Sequence, residues 1–208
     1  MIADIKLPDS TIVRQAQELA RDVSNDMLFN HVMRCYWFSE LFAQLEGANV
    51  DSEIVFLSSI FHDLGLTDHA QGPHRFEIES ASAARTFLVE RDYPTDGAQK
   101  VWDNIALHTW DINLFRDDTS RITQLGIAHD VVGIPDAEKL DPSDVAELLR
   151  RYPRLNFSRA FHDALEHDLD TKQPYPHAFH PCTRIAHNRA PVEIVDMWSL
   201  QSCAPFDE

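Results

Sequence analysis

Apolar residues recur at intervals of three and four along most of the chain, and nowhere do they alternate convincingly with period two. Such spacing gathers them on one face of a helix, whereas a half-buried strand needs alternation. The clearest stripe runs Leu28, His31, Val32, Cys35, Phe38, Phe42 and Leu45. It predicts a helix from residue 25 to about 47, closed by Gly47 as glycine closes helices. Trp37, Phe38 and Phe42 belong to the core side of that helix. The same pattern predicts helices over 11–22, 51–63, 76–91, 96–110 and 120–132. Beyond Pro135 the texture changes, and eight of the eleven prolines lie from there on. Shorter helices are expected at 142–151, 156–169 and 192–200, with a covering loop over 170–184. Only 6 glycines are present, few for a turn-rich sheet fold. The expected fold is all-α: a single helical bundle over 1–208, with its core at about 25–135 and a Pro-rich cover of shorter helices at about 136–208.

The chain carries 18 Lys and Arg against 34 Asp and Glu, a formal charge of −16. That balance repels phosphate backbones and anionic lipid, so neither nucleic acid nor membrane is an expected partner. Cys35, Cys182 and Cys203 are few, far apart and odd in number, which fits free thiols in a reducing compartment. The opening MIADIKLPDS has neither the basic nor the apolar region of a signal peptide. A cytoplasmic protein acting on a small molecule is expected, and its long apolar helices leave room for a homo-oligomer.

Several polar residues stand where the pattern asks for apolar ones. His31 lies on the stripe of the second helix, His62-Asp63 closes the third, and Asp130 sits inside the apolar LGIAHDVVG. A buried carboxylate without a partner is expensive or takes up a proton. Convergence on one cation would solve this for all of them, and His nitrogen with Asp oxygen is an ordinary ligand set for zinc, manganese or iron. Taken singly, each has a plainer reading. A core histidine bonds a backbone carbonyl, and an aspartate such as Asp130 makes a salt bridge or caps a helix.

The order His31, His62-Asp63, Asp130 on successive helices resembles the HD-domain superfamily of metal-dependent hydrolases. The segments FHDLGL, HRFEIESASAARTFL, VWDNIALHTW and GIAHDVVG are similar to its cyanamide hydratase-like branch, with weaker similarity through RRYPR. The resemblance implies a helical fold and one bound Zn2+ (Fe, Mn or Co being accepted by such a site), held by His31, His62, Asp63 and Asp130. It also implies hydration of cyanamide to urea. Zinc lowers the pKa of bound water from about 15.7 to roughly 7, and the resulting hydroxide can attack a nitrile carbon. Asp63 and His108 are the expected catalytic groups, moving the proton to nitrogen. His69, His74, Phe76 and Trp110 are the expected substrate contacts. His129 should point away from the site. The PHAFHP stretch is not expected to bind metal.

Two departures separate this chain from other branches. Phosphohydrolases of the superfamily often carry HD-x-x-E, and here Leu66 takes the place of that glutamate. Two-metal members place a histidine where Phe76 stands. From the hydratase-like pattern itself the chain departs at Ser80, where a glycine, similar in size, is expected. Hydrolysis of a nucleotide or phosphomonoester, di-iron oxygenation and a non-catalytic metal-binding module remain the alternatives.

Overall fold

The computed structural model describes residues 5–134 and 138–171. These form eight α-helices, and no strand occurs among the described residues. They are α1 (Thr11–Val23), α2 (Asp26–Glu46), α3 (Ser52–Phe61), α4 (Phe76–Val89), α5 (Thr95–Ala106), α6 (Asp118–Val132), α7 (Pro142–Arg151) and α8 (Phe157–Thr171). The expected helix at 192–200, most of the loop at 170–184 and the PHAFHP histidines lie outside the described residues. No helix among them is long and apolar enough to cross a membrane.

The organising element is α2. Asn25 caps its start by accepting from the Leu28 N–H, and Gly47 ends it in the left-handed region at φ 63°. The stripe predicted a one-sided helix. Instead every residue from Met27 to Ala43 except Asn30 is buried, while Leu45 is 43% exposed. The central helix is covered on all sides because α6, α3, α8, α1 and α7 surround it. Its broadest contact is with α6. Gly126 permits that approach, since a Cβ there would lie 2.5 Å from the Cys35 carbonyl oxygen and 2.6 Å from the Ser39 nitrogen.

Elsewhere, α4 packs on α5, and α3 lies between α2 and α5 with α1 over it. The main core joins α1 to α5 with Ile122, Leu140 and Leu148. A second cluster, formed by Met27, Leu28, Phe157 and Phe161, seats α8 against the start of α2.

α5 stops at Ala106, four residues short of the expected 110. Side chains take up the carbonyls that further helical turns would have used. Asn113 Nδ2 donates to Asn104 O at 3.0 Å, His108 Nδ1 to Ile105 O at 2.7 Å and Arg75 Nη2 to Ala106 O at 3.2 Å. α6 starts two residues earlier than expected. Asp117 caps it, accepting from Ser120 N at 3.2 Å and Ser120 Oγ at 3.0 Å.

Two predictions follow from this packing. Gly126→Ala forces α2 and α6 apart and should lower stability by about 1–3 kcal/mol or more, read from urea unfolding. For Asp117, partial burial pushes the carboxyl up, but hydrogen bonds from Lys100 and Ser120 outweigh it and hold it at about 2, against an ordinary value of 3.8. A depressed folded pKa adds stability above the unfolded value and loses it as pH falls through the folded one. Asp117→Asn should therefore be less stable than the parent near neutrality, and the difference should narrow between about pH 4 and pH 2.

Candidate metal centre

His62 is the residue just past the end of α3, and Asp63 follows it at φ −111°, ψ 13°. A helix end leaves carbonyls without helical donors. His62 Nδ1 donates to one of them, Ser59 O, at 2.7 Å. A carbonyl can only accept, so the proton sits on Nδ1 and the Nε2 lone pair faces inward. His108 repeats the arrangement beyond α5 with Ile105 O, again three residues back. The chain then turns through Leu64–Leu66, pinned to α4 by a hydrogen bond from Gly65 N to Ser80 Oγ at 2.7 Å. A Cβ on Gly65 would collide with the Phe76 backbone, its Cα and carbonyl carbon both at 2.9 Å.

His31 comes from the middle of α2 and is wholly buried. Its Nδ1 donates to Asp130 Oδ2 at 2.7 Å, which again leaves Nε2 with the lone pair. That atom lies 3.2 Å from His62 Nε2 and 3.3 Å from Asp63 Oδ2, and His62 Nε2 is also 3.3 Å from Asp63 Oδ2. Three potential ligand atoms thus form a near-equilateral triangle. Neither oxygen of the buried Asp63 accepts a hydrogen bond. A tetrahedral ion with ligands at about 2.0–2.2 Å requires ligand–ligand edges of about 3.3–3.6 Å, so the triangle fits a small divalent cation.

The electrostatics agree. Burial alone would push the His31 imidazole down, but Cys35, Asp130 and Asp63 reverse this and hold it well above 6.5, so without another cation a proton takes Nε2, the place a metal ion would fill. Burial likewise opposes ionisation of Asp63, yet His62 and His31 keep its carboxyl well below the usual range. Burial and the neighbouring His62 push His108 down to about 4. His108 Nε2 stands 3.9 Å from Asp63 Oδ1. His62, Asp63 and His108 bring one ligand atom each within 4.8 Å of one another, and so do His31, Cys35 and His62.

Asp130 was expected among the metal ligands, and the structure gives it another task. Arg34 grips it with two hydrogen bonds, Nε to Oδ1 at 2.7 Å and Nη2 to Oδ2 at 2.8 Å, while Oδ2 also takes the His31 proton. Arg154 approaches from the other side, 2.9 Å from the Asp130 carbonyl oxygen and 3.5 Å from Oδ1. Despite full burial, Arg34 and His31 keep the Asp130 carboxyl well below the usual range. Asp130 Oδ2 is thus hydrogen-bonded to His31 Nδ1 and is not one of the three atoms of the triangle, the arrangement that carboxylates commonly take behind metal-bound histidine.

A cavity of about 260 Å³ opens from the centre, lined by His62, Asp63, Phe76, His108, Thr109 and Gln124, with apolar residues of α6 and α8 making the rest. Phe76 and His108 thus reach it as expected. His69, His74 and Trp110 do not. His69 and His74 are exposed on the loop that the pinned turn directs outward, and His74 N donates to Glu79 Oε1. Trp110 is 42% exposed, its ring under the Arg75 guanidinium at 5.9 Å. His129 does point away, its ring set edge-on to Phe38 and Phe42, and burial pushes it down to about 4.

Other site residues escaped the sequence reading. Cys35, one turn after His31, puts its sulfur 3.6 and 3.7 Å from the two ring nitrogens. Phe157 and Phe161 stack on each other at 4.9 Å and cover His31, with ring centroids 4.6 and 5.5 Å away. Their spacing of four, continued by Leu165, was the available signal. Glu77 is buried and accepts from Thr109 Oγ1 at 2.7 Å, for which the sequence offered no signal. No protein-family model matches the chain, and no curated protein sequence matches it.

The Arg34–Asp130 pair makes a direct prediction. Removing one partner of a buried pair leaves an uncompensated charge and costs about 3–5 kcal/mol. Arg34→Met should lose that much in urea unfolding, and a loss below about 1 kcal/mol would show that Asp130 is not held as an ion.

Proposed function

We infer that the chain is a metal-dependent hydratase that adds water to a small nitrile, with cyanamide to urea as the reaction implied by the HD resemblance. One observation carries the metal: three buried potential ligand atoms, His31 Nε2, His62 Nε2 and Asp63 Oδ2, lie 3.2–3.3 Å apart. Mutual repulsion among such atoms is relieved by a cation at their centre. His31 and His62 would hold it through Nε2, and Asp63 through Oδ2, leaving a position open toward the cavity as catalytic zinc sites do. A divalent ion there lowers the pKa of coordinated water and polarises the substrate.

The chain's own residues supply the rest. The His31–Asp130 and His62–Ser59 hydrogen bonds fix both imidazoles in the tautomer that presents Nε2. His108 Nε2, its other nitrogen committed to Ile105 O, stands at the cavity wall near the unbonded Asp63 Oδ1. It is placed to take a proton from water and return one to the nitrile nitrogen. The stacked phenylalanines of α8 keep bulk water from that face.

The phosphate alternative has less support. Arg34 and Arg154 are directed at Asp130, and Arg34 also donates to the Tyr152 and Pro153 carbonyls. Arg85 is exposed on the outer face of α4. The three arginines Arg34, Arg75 and Arg85 thus form no anion-binding cluster in the cavity. A second metal is also poorly supplied, since the Phe76 ring packs 5.7 Å from that of His108 where a further ligand would be needed.

Elemental analysis of the purified chain, paired with urea release from cyanamide, tests the reading. About one divalent ion per chain and urea formation are expected. His62→Ala should lose both, while Glu147→Ala on the outer face of α7 should lose neither. A folded chain that binds no divalent metal, or that binds it and forms no urea while releasing phosphate from a phosphomonoester, would overturn it.

A further inference from the structure

Cyanamide has three heavy atoms, and the cavity is far larger. Its volume of about 260 Å³ equals that of about nine waters at roughly 30 Å³ each. Resting on the hydratase reading, we propose that the site takes nitriles with an uncharged apolar substituent of several carbons, bound with the nitrile at the metal centre and the tail between α6 and α8.

The polar inventory of the cavity points this way. Gln124 lines it, but its Nε2 donates to the His108 carbonyl and its Oε1 accepts from Asn113 Nδ2. The Thr109 hydroxyl donates to Glu77. What remains for a ligand is concentrated at one end, where His62, Asp63 and His108 meet. Beyond them the walls are Phe76 from α4, Ile127 and Val131 from α6, and Phe161 and Leu165 from α8. Among the described residues no Lys or Arg lines the cavity, so a charged tail would lie unpaired against the hydrocarbon they present. A site polar at one end and apolar over the rest matches a ligand built the same way.

The reaction keeps its balance with any tail. The water oxygen forms a bond to the nitrile carbon and one carbon–nitrogen π bond breaks. The water's proton passes to nitrogen, and the tautomer that follows is the amide. No oxidant, reductant or leaving group is required.

The test is a binding series on the full chain loaded with zinc: acetonitrile, propionitrile, butyronitrile and pentanenitrile by calorimetry, with amide release followed separately. Each buried methylene should tighten binding about fourfold, or about sixtyfold across the series. Cyanoacetate, with a charged tail, should bind more weakly than propionitrile. Val131→Phe, which fills the tail region, should flatten the long end of the series if it folds. A flat series, or cyanoacetate as the tighter ligand, would overturn the proposal even where cyanamide yields urea. A steep series without any amide would support the apolar-tail site and fail the hydration reading instead.

Discussion

The carboxylate of Asp130, wholly buried and shared between Arg34 and His31, is the interaction on which the centre depends. Arg34 and His31 sit one turn apart on α2, and Asp130 reaches them from α6. The helix pair with the broadest contact is therefore also joined at its most polar point. A buried ion pair is weak evidence of net stabilisation, because desolvation of both charges offsets their attraction. Its use here is positional. With Asp130 held by Arg34, the orientation in which His31 Nδ1 donates to it also turns Nε2 toward His62 and Asp63. Arg154 adds the start of α8 to the same carboxylate, so the cover over His31 is tied to the group that orients it.

The other two imidazoles are fixed by a different device. His62 and His108 each follow a helix end and donate Nδ1 to the carbonyl three residues back. Helix C-termini carry partial negative charge, and two of them, α3 and α5, end at this centre. Asp63 adds a full charge, and the chain as a whole is acidic. All four contributions favour a cation at the triangle and disfavour an anionic ligand beside it.

Features that depend on local chemistry were legible in the sequence. Asn25 and Gly47 bound α2, the helix at Pro142–Arg151 matches its expected span, and His62-Asp63 falls at the end of α3 as its apolar run implied. Features that depend on distant partners were not. A buried aspartate can compensate its charge with a metal or with arginine, and nothing near Asp130 distinguishes them. Its partner Arg34 lies 96 residues away. α5 ends early because Arg75 and Asn113 reach its carbonyls from outside its own span. His69 and His74 are exposed on a loop whose first turn is tied to α4 by the Gly65–Ser80 hydrogen bond, which links residues fifteen apart. Ser80 was expected to be a mere size substitute for glycine, yet its hydroxyl sets where the loop after Asp63 goes.

The apolar cover explains why so polar a centre persists. Met27, Leu28, Phe157 and Phe161 form their own cluster at this end of α2, separate from the main core, and two of its rings lie on His31. Excluding water lowers the local dielectric, which raises the cost of leaving three lone pairs facing one another and strengthens their hold on any cation that joins them. The cover also continues into the cavity through Phe161, as Val131 does from α6. The packing that shields the triangle is thus also the apolar wall of the cavity. A substitution on that face of α8 therefore changes the cover over His31 and the wall of the cavity together.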